Sequence, residues 1–343
     1  MELRLLSLSC IVFYVALVGS SLASVQTVDW VESYWHYVSP NIQFPKALRN
    51  VLQTATPIKG KNTYEGVGKD ALTQAHNNDS GISPEDTSFE YSLSYKYHWS
   101  SSSNKDNNNV KNSSVLKAYH DHNNVFFKQK ALHPGQEFTL QFPESKCNAK
   151  FLRREVANAI PFSSNKLPEI FEEFGIKPES VEAETVERTL LMCDELAIEG
   201  ETKLCATSPE ALIDFGVSIL GKNVGVYASE VDKVSNKVEK YTIVKSKNGV
   251  KKIADKGVVC HKQNYLYGLF YCHDIQSTKA FLVSLVGSNE RRVSKAVALC
   301  HYDTRFWNPR HIAFQTLNVK PGTVPICHFL PKGHIVWVPT TSI

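Results

Sequence analysis

Short apolar runs alternate with polar turns along the C-terminal part of the chain. From Tyr241 onward, runs of β-branched and aromatic residues are separated by segments rich in Gly, Asn, Ser and Lys. This pattern predicts strands of a mostly antiparallel sheet or barrel. The predicted strands are Tyr241–Val244, Gly257–His261, Tyr267–His273, Phe281–Val286, Val297–His301, Val324–His328 and Ile335–Val338.

A helical pattern precedes these strands. Apolar residues at positions 167, 170, 171 and 174 share one face of a helix that has Pro168 near its start and ends at Gly175. A second helix is predicted over Val181–Met192, and a third begins with Ser208 as N-cap and Pro209 in its first turn. Helices followed by strands predict the α+β fold class, with a helical first half and then a mostly antiparallel sheet or barrel.

The first 23 residues have the layout of a signal peptide. An apolar run from Leu5 to Val18 follows Arg4, and small residues lead to a cleavage-like position at Ala23. The run is too short for a comfortable membrane span, and no later stretch approaches the length that one needs. The pattern predicts a protein of the secretory pathway that has no membrane span after cleavage. An uncleaved signal anchor is the alternative.

Composition divides the rest of the chain into three segments. Residues 24–58 are rich in aromatic residues and Pro, residues 59–119 are polar, and residues 120–341 carry the periodic patterns of a compact domain. The polar segment is predicted to be a disordered linker, because it contains too few apolar residues to offset its ordering entropy. It holds two glycosylation sequons, at Asn78 and Asn112, which fit a secreted protein.

One aromatic run interrupts the linker. Between positions 89 and 99 aromatic residues alternate with other residues, and the run includes Tyr91, Tyr95, Tyr97 and Trp99. A lone strand or an apolar surface patch is the simplest interpretation.

The net charge of +4 is small for 343 residues and no polybasic run occurs, so nothing indicates nucleic-acid binding.

Four Cys-His dipeptides are the main chemical signal of the sequence. They begin at Cys260, Cys272, Cys300 and Cys327, each near the end of a predicted strand, with 10, 26 and 25 residues between successive pairs. Successive side chains of a strand point to opposite faces, so a Cys and its neighbouring His rarely bind one metal together. We therefore expect sulfurs on one face, free to form disulfides in an oxidising compartment, and imidazoles on the other face, free to converge.

A cluster of neutral imidazoles suits Cu, Zn or Ni, and Cu(II) heads the affinity order for such ligands. Copper is therefore the predicted metal and zinc the less favoured one. Two alternatives remain open. All four Cys-His pairs could be structural, or reduced cysteines could bind zinc, which the compartment disfavours and for which no C-x-x-C motif exists.

Two further cysteines, Cys193 and Cys205, flank an acidic, Gly-containing segment that is predicted to be a tight loop closed by a disulfide. Cys10 lies in the signal peptide. If the four cysteines of the Cys-His dipeptides pair among themselves, Cys147 is left as a free thiol or a partner in an intermolecular bridge.

The spacing C-H-x10-C-H-x26-C-H-x25-C-H resembles the signature of the plant BURP domain family. Further similarity lies in Phe126-Phe127 with Leu132 and Gly135, in Ile160 to Ser164, in Lys203 to Ser208 and in the end of the chain from Cys327 to Pro339. The resemblance covers about residues 120–340, and the segment behind the signal peptide looks like that of the seed-protein branch. It implies a plant protein of the cell wall or the vacuole.

The resemblance also implies functions. Some members of the family look like copper-dependent cyclases that crosslink a Tyr or Trp side chain within a peptide, often in their own N-terminal region. Others are known as non-catalytic seed or wall proteins, including a polygalacturonase β-subunit. The metal role carries over to His261, His273, His301 and His328, with His334 as a weaker addition. The candidate peptide here is the aromatic run in the linker or a separate peptide in trans; a wall module that binds polysaccharide or wall proteins is a third hypothesis.

Overall fold

The computed structural model describes residues 29–53, 126–142, 149–231, 235–275, 277–288 and 292–340. The predicted signal peptide, the sequons at Asn78 and Asn112, the aromatic run at residues 89–99 and Cys147 lie outside these ranges. Among the described residues, no helix has the length and apolar content that a membrane crossing requires.

The three predicted helices are confirmed. Ser208 accepts a hydrogen bond from the backbone N–H of Ala211 and caps the third, and Gly175 adopts the left-handed conformation that ends the first. The helices are α1 (29–38), α2 (Lys46–Gln53), α3 (Arg154–Ala159), α4 (Leu167–Phe174), α5 (Val181–Asp194), α6 (Pro209–Leu220) and α7 (Ile312–Leu317).

The strands form two antiparallel sheets. The seven-stranded sheet contains β1 (Phe126–Lys128), β2 (Glu137–Phe142), β5 (Ser235–Ile243), β6 (Val250–Ala254), β9 (Thr278–Gly287), β10 (Val293–His301) and β11 (Ile326–Phe329). The five-stranded sheet contains β3 (Glu201–Ala206), β4 (Val224–Tyr227), β7 (Val258–Lys262), β8 (Phe270–Ile275) and β12 (Ile335–Pro339). Each of the seven predicted strands has a counterpart, and the α+β fold class is confirmed.

The two sheets pack against each other through one apolar layer. Val297 and Leu299 of β10 share a buried cluster with Val259 of β7 and with Val336 and Val338 of β12. Because side chains alternate along a strand, the residues between these positions point to the outer face of each sheet. Strands β7 and β12 and the part of β10 from Ala296 to His301 are buried on both faces.

The outer face of the five-stranded sheet carries α6 and the N-terminal helices. Trp35 of α1 is fully buried, and its ring centroid lies 6.0 Å from that of Trp337 on β12. The hydroxyl of Tyr34 donates a hydrogen bond to Asp214 on α6, which also pairs with Arg154. The aromatic segment behind the predicted signal peptide is thus part of the domain core.

Candidate metal centre

Three disulfides join the six cysteines that were the candidates for pairing. One links Cys193 at the end of α5 to Cys205, and the segment that was expected to be only a loop also contains strand β3. The other two lie within the sheets and join residues that stand directly opposite on neighbouring strands: Cys260 with Cys272, and Cys300 with Cys327.

The histidines that follow these four cysteines point to the other face of each sheet. The sulfurs lie in the two outer cores, whereas the imidazoles lie at the edge of the layer between the sheets. His334 joins them from the turn before β12. All five rings, which we call the histidine cluster, are at most 5% exposed: His261, His273, His301, His328 and His334.

In the five-stranded sheet the rings form a hydrogen-bonded chain. Nε2 of His261 lies 3.4 Å from Nε2 of His273, and Nδ1 of His261 lies 3.0 Å from Nδ1 of His334. Nδ1 of His273 lies 3.1 Å from Oε1 of the buried Glu201. An ionised carboxylate only accepts, which favours the tautomer of His273 that has its proton on Nδ1 and the lone pair of Nε2 facing His261.

In the seven-stranded sheet a second pair has the same arrangement. Nε2 of His301 lies 3.3 Å from Nε2 of His328 in a stacked geometry. Nδ1 of His328 donates to the carbonyl of Phe329, so its Nε2 is unprotonated, and Nδ1 of His301 contacts the hydroxyl of Thr278 at 2.9 Å. The two pairs approach each other, with 6.4 Å between the ring centroids of His261 and His328.

Burial keeps four of these imidazoles neutral, those of His261, His301, His328 and His334. Desolvation lowers the pKa of His328 to about 4 and that of His334 to about 3. It also lowers the pKa of His261 and His301 well below the ordinary value, and the neighbouring histidines lower it further because protonated rings would repel one another. A neutral imidazole with a free ring nitrogen is the form that binds a metal.

An aromatic wall covers the second pair. The ring of Trp307 lies 5.1 Å from that of His301, and the ring of His311 lies 4.9 Å from that of Trp307 in a tilted geometry. Nδ1 of His311 accepts a hydrogen bond from the backbone N–H of Ala313 and caps α7. His311 was not among the predicted site residues, and neither were Glu201 and Thr278, because none of the three belongs to a Cys-His dipeptide.

The imidazole nitrogens are suitable metal donors, and their spacing within each pair matches a metal site, although each pair offers only two ligands. Two nitrogens that bind one ion at about 2.0–2.1 Å stand about 2.9–3.4 Å apart at tetrahedral or right-angle geometry, close to the separations in both pairs. Yet no group of three or more His, Cys, Asp or Glu side chains within the described residues forms a metal-ligand set. Each pair supplies two nitrogens, and any further ligands have to come from outside that pair.

The fold and this site define a class: a disulfide-linked two-sheet domain that encloses a histidine cluster. A model of the BURP domain matches residues 125–339, and the chain therefore belongs to the BURP domain family. All the relatives compared below are plant proteins.

The chain is 45% identical over 226 residues to BURP domain-containing protein 3 of Oryza sativa subsp. japonica. The matched region covers 64% of this chain and 52% of the relative. It is 45% identical over 218 residues to BURP domain protein RD22 of Arabidopsis thaliana, covering 62% and 55%. It is 35% identical over 217 residues to Protein RAFTIN 1B of Triticum aestivum, covering 62% and 59%. The matches thus span little more than half of these relatives.

Proposed function

We propose that this BURP domain binds copper through the imidazoles of its four Cys-His pairs and acts as an oxidative peptide cyclase. The observation that carries the proposal is the close approach of two imidazole Nε2 atoms in each pair, 3.4 Å in the first and 3.3 Å in the second, on side chains that are at most 5% exposed. His334 extends the first pair.

The state of the cysteines supports copper over a thiolate zinc site. The four sulfurs next to the histidines are consumed in disulfides and lie in the outer cores, so only nitrogen donors face the site. For imidazole donors Cu(II) binds more tightly than Zn(II), and only copper adds redox chemistry. Zinc remains the second candidate because it accepts the same donors.

The reaction class follows from the substrate chemistry that the family resemblance implies. A new bond between a Tyr or Trp side chain and a carbon atom replaces one hydrogen on each partner, so two protons and two electrons leave the peptide and pass to dioxygen. Copper, when bound, supplies the one-electron steps that this oxidation needs. Burial in the domain keeps the His328 imidazole neutral, so that a ring nitrogen can bind metal, and keeps bulk water away from the rings. The substrate is the aromatic run at residues 89–99 or a separate peptide.

The proposal extends to the compartment. Three disulfides fit an oxidising environment, and the predicted signal peptide and the sequons at Asn78 and Asn112 fit export to the cell wall or the vacuole. The rival proposal is a non-enzymatic protein of the seed, the vacuole or the cell wall, in which the same disulfides only stabilise the fold. Contacts with wall polysaccharide or wall proteins belong to that rival.

Metal analysis tests the binding step. The purified chain is loaded with Cu(II), dialysed and assayed for bound copper, alone and with His261, His273, His301 or His328 replaced by Ala. We expect bound copper in the wild type and a smaller amount of bound copper in each of the four variants. His133→Ala is the matched control, because this histidine is exposed and lies outside the cluster. Wild-type protein without copper would contradict the proposal.

Mass spectrometry tests the chemistry. The copper-loaded chain is incubated with and without dioxygen, and its peptides are mapped for a mass loss of about 2 Da, the mass of the two hydrogens removed. A loss in an aromatic peptide that depends on copper and dioxygen supports a cyclase. A chain that binds copper yet leaves both its own mass and the mass of added Tyr- and Trp-containing peptides unchanged favours the non-enzymatic rival.

A further inference from the structure

A buried carboxylate lies directly behind one ring of the histidine cluster. The side chain of Glu201 is 6% exposed, and its Oε1 lies 3.1 Å from Nδ1 of His273. The same oxygen accepts a hydrogen bond from the hydroxyl of Tyr271 at 3.1 Å, and Oε2 accepts one from the backbone N–H of Ile198 at 3.2 Å. Three donors therefore hold this carboxylate in one place.

Strand register explains how Glu201 reaches the cluster. Lys203 on β3 stands directly opposite His273 on β8, and Cys205 stands opposite Tyr271. Side chains two residues apart share a face, so Glu201 lies on the face of β3 that carries Lys203 and Cys205, diagonal to His273. The Cys193–Cys205 disulfide ties the other end of this strand to α5.

We propose that Glu201 is the positioning residue of the metal centre, and the role rests on the copper site proposed above. Its carboxylate selects the Nδ1–H tautomer of His273 and sets the ring angle, so that the Nε2 lone pair faces His261. A carboxylate that accepts from the outer nitrogen of a metal-binding imidazole also makes the inner nitrogen a stronger donor.

Two other rings of the cluster contact neutral groups through their outer nitrogens. The outer nitrogen of His301 contacts the hydroxyl of Thr278, which can donate or accept and so permits either tautomer. The outer nitrogen of His328 donates to a neutral backbone carbonyl. Lys203 lies near Glu201, but its ammonium donates to the carbonyl of Met192 rather than to the carboxylate. Glu201 thus gives His273 an anionic outer partner, which makes its inner nitrogen a stronger donor than a neutral partner would.

The tautomer of His273 is measured first, in metal-free protein, from its imidazole ¹⁵N shifts by NMR. We expect the Nδ1–H form in the wild type and a mixture of tautomers in Glu201→Gln, which keeps the shape of the side chain but replaces the anion by an amide. The control is Glu210→Gln, the same change at another buried glutamate, which accepts from the backbone of Arg154 away from the cluster.

Copper affinity is measured next, by competition with a chelator. Loss of an outer partner of a metal-binding histidine lowers metal affinity about 10–100-fold, and we expect a loss in this range for Glu201→Gln and none for Glu210→Gln. In the electron paramagnetic resonance spectrum the nitrogen couplings of the bound Cu(II) should change in the first variant only.

Several outcomes would overturn the role of Glu201. One is an Nε2–H tautomer of His273 in the folded wild type, a result that needs no variant and so stands even if Glu201→Gln does not fold. Another is a folded Glu201→Gln variant with wild-type tautomer and copper affinity. Absence of copper from the wild type would instead contradict the proposed function, while the tautomers of the metal-free proteins would still decide whether Glu201 positions His273.

Discussion

Cys260 and Cys272 stand directly opposite each other on β7 and β8, and the histidine after each cysteine lies on the other face of the same sheet. The disulfide therefore fixes the two strands at the point where their imidazoles meet. His261 and His273 occupy diagonal positions on the inner face, which brings their Nε2 atoms to 3.4 Å. The covalent link on the outer face and the ring contact on the inner face depend on the same strand register.

Replacing Cys260 and Cys272 together by Ala should lower both stability and copper binding. The bridge closes 12 residues, and a loop of that size stabilises a domain by about 3 kcal/mol through the unfolded chain. Copper binding should fall as well, because the two strands are freer to move relative to each other. Urea unfolding without metal measures the first effect, and copper titration of the folded protein measures the second.

The matched control is the double change of Cys193 and Cys205 to Ala. Its bridge has the same separation of 12 residues but faces the α4–α5 core. It should lower the free energy of unfolding by a similar amount and leave more copper bound than the double change of Cys260 and Cys272. If both double variants lose copper equally, the Cys260–Cys272 disulfide has no local effect on the imidazoles.

The sequence was sufficient for the features that depend on neighbouring residues. Caps and spacing predicted α4, α5 and α6, and alternation along a strand predicted sulfurs on one face and imidazoles on the other. The division into two sheets depends on pairing between distant strands, such as β1 with β11, which no local pattern encodes. Glu201 was missed for a related reason. Its segment was interpreted as a loop, although positions 201, 203 and 205 alternate as a strand would.

Gly216 in α6 tests the packing of the helix on the five-stranded sheet. A Cβ atom at this position would lie 2.7 Å from Cδ2 of the buried Trp337. Overpacking of a core costs about 1–3 kcal/mol, whereas Ala gains about 1 kcal/mol over Gly in a helix. Gly216→Ala should therefore lower the free energy of unfolding despite its better helix propensity. Ser218→Ala on the exposed side of α6 should change it by about 0.5 kcal/mol or less in urea unfolding.

Trp35 tests whether the segment before the family match belongs to the fold. Its ring is fully buried against Trp337, and its indole N–H donates to the carbonyl of Ile42 at 2.8 Å. Trp35→Ala should cost about 3–5 kcal/mol because it leaves a cavity in the core. Tyr37 on the same helix is 83% exposed, and Tyr37→Ala should cost about 0.5 kcal/mol or less. Equal effects of the two changes in thermal or urea unfolding would show that α1 does not pack as described.

The buried histidines predict that the metal-free protein is less stable in acid. An unfolded histidine has a pKa of about 6.5, whereas desolvation holds the pKa of His328 at about 4 in the folded state. Between these values the unfolded chain binds a proton that the folded chain does not. The free energy of unfolding is therefore full above pH 6.5 and falls as the pH drops towards 4.

The size of this effect makes it measurable. His328 alone should lower the free energy of unfolding by about 2 kcal/mol between pH 7 and pH 5, and the other depressed rings add to it. Urea unfolding at several pH values gives the slope, which should be smaller in His328→Gln because the variant lacks one titrating ring. His133→Gln, at an exposed site, should keep the wild-type slope. A stability that does not change between pH 7 and pH 5 would mean that water and protons reach these rings in the folded protein.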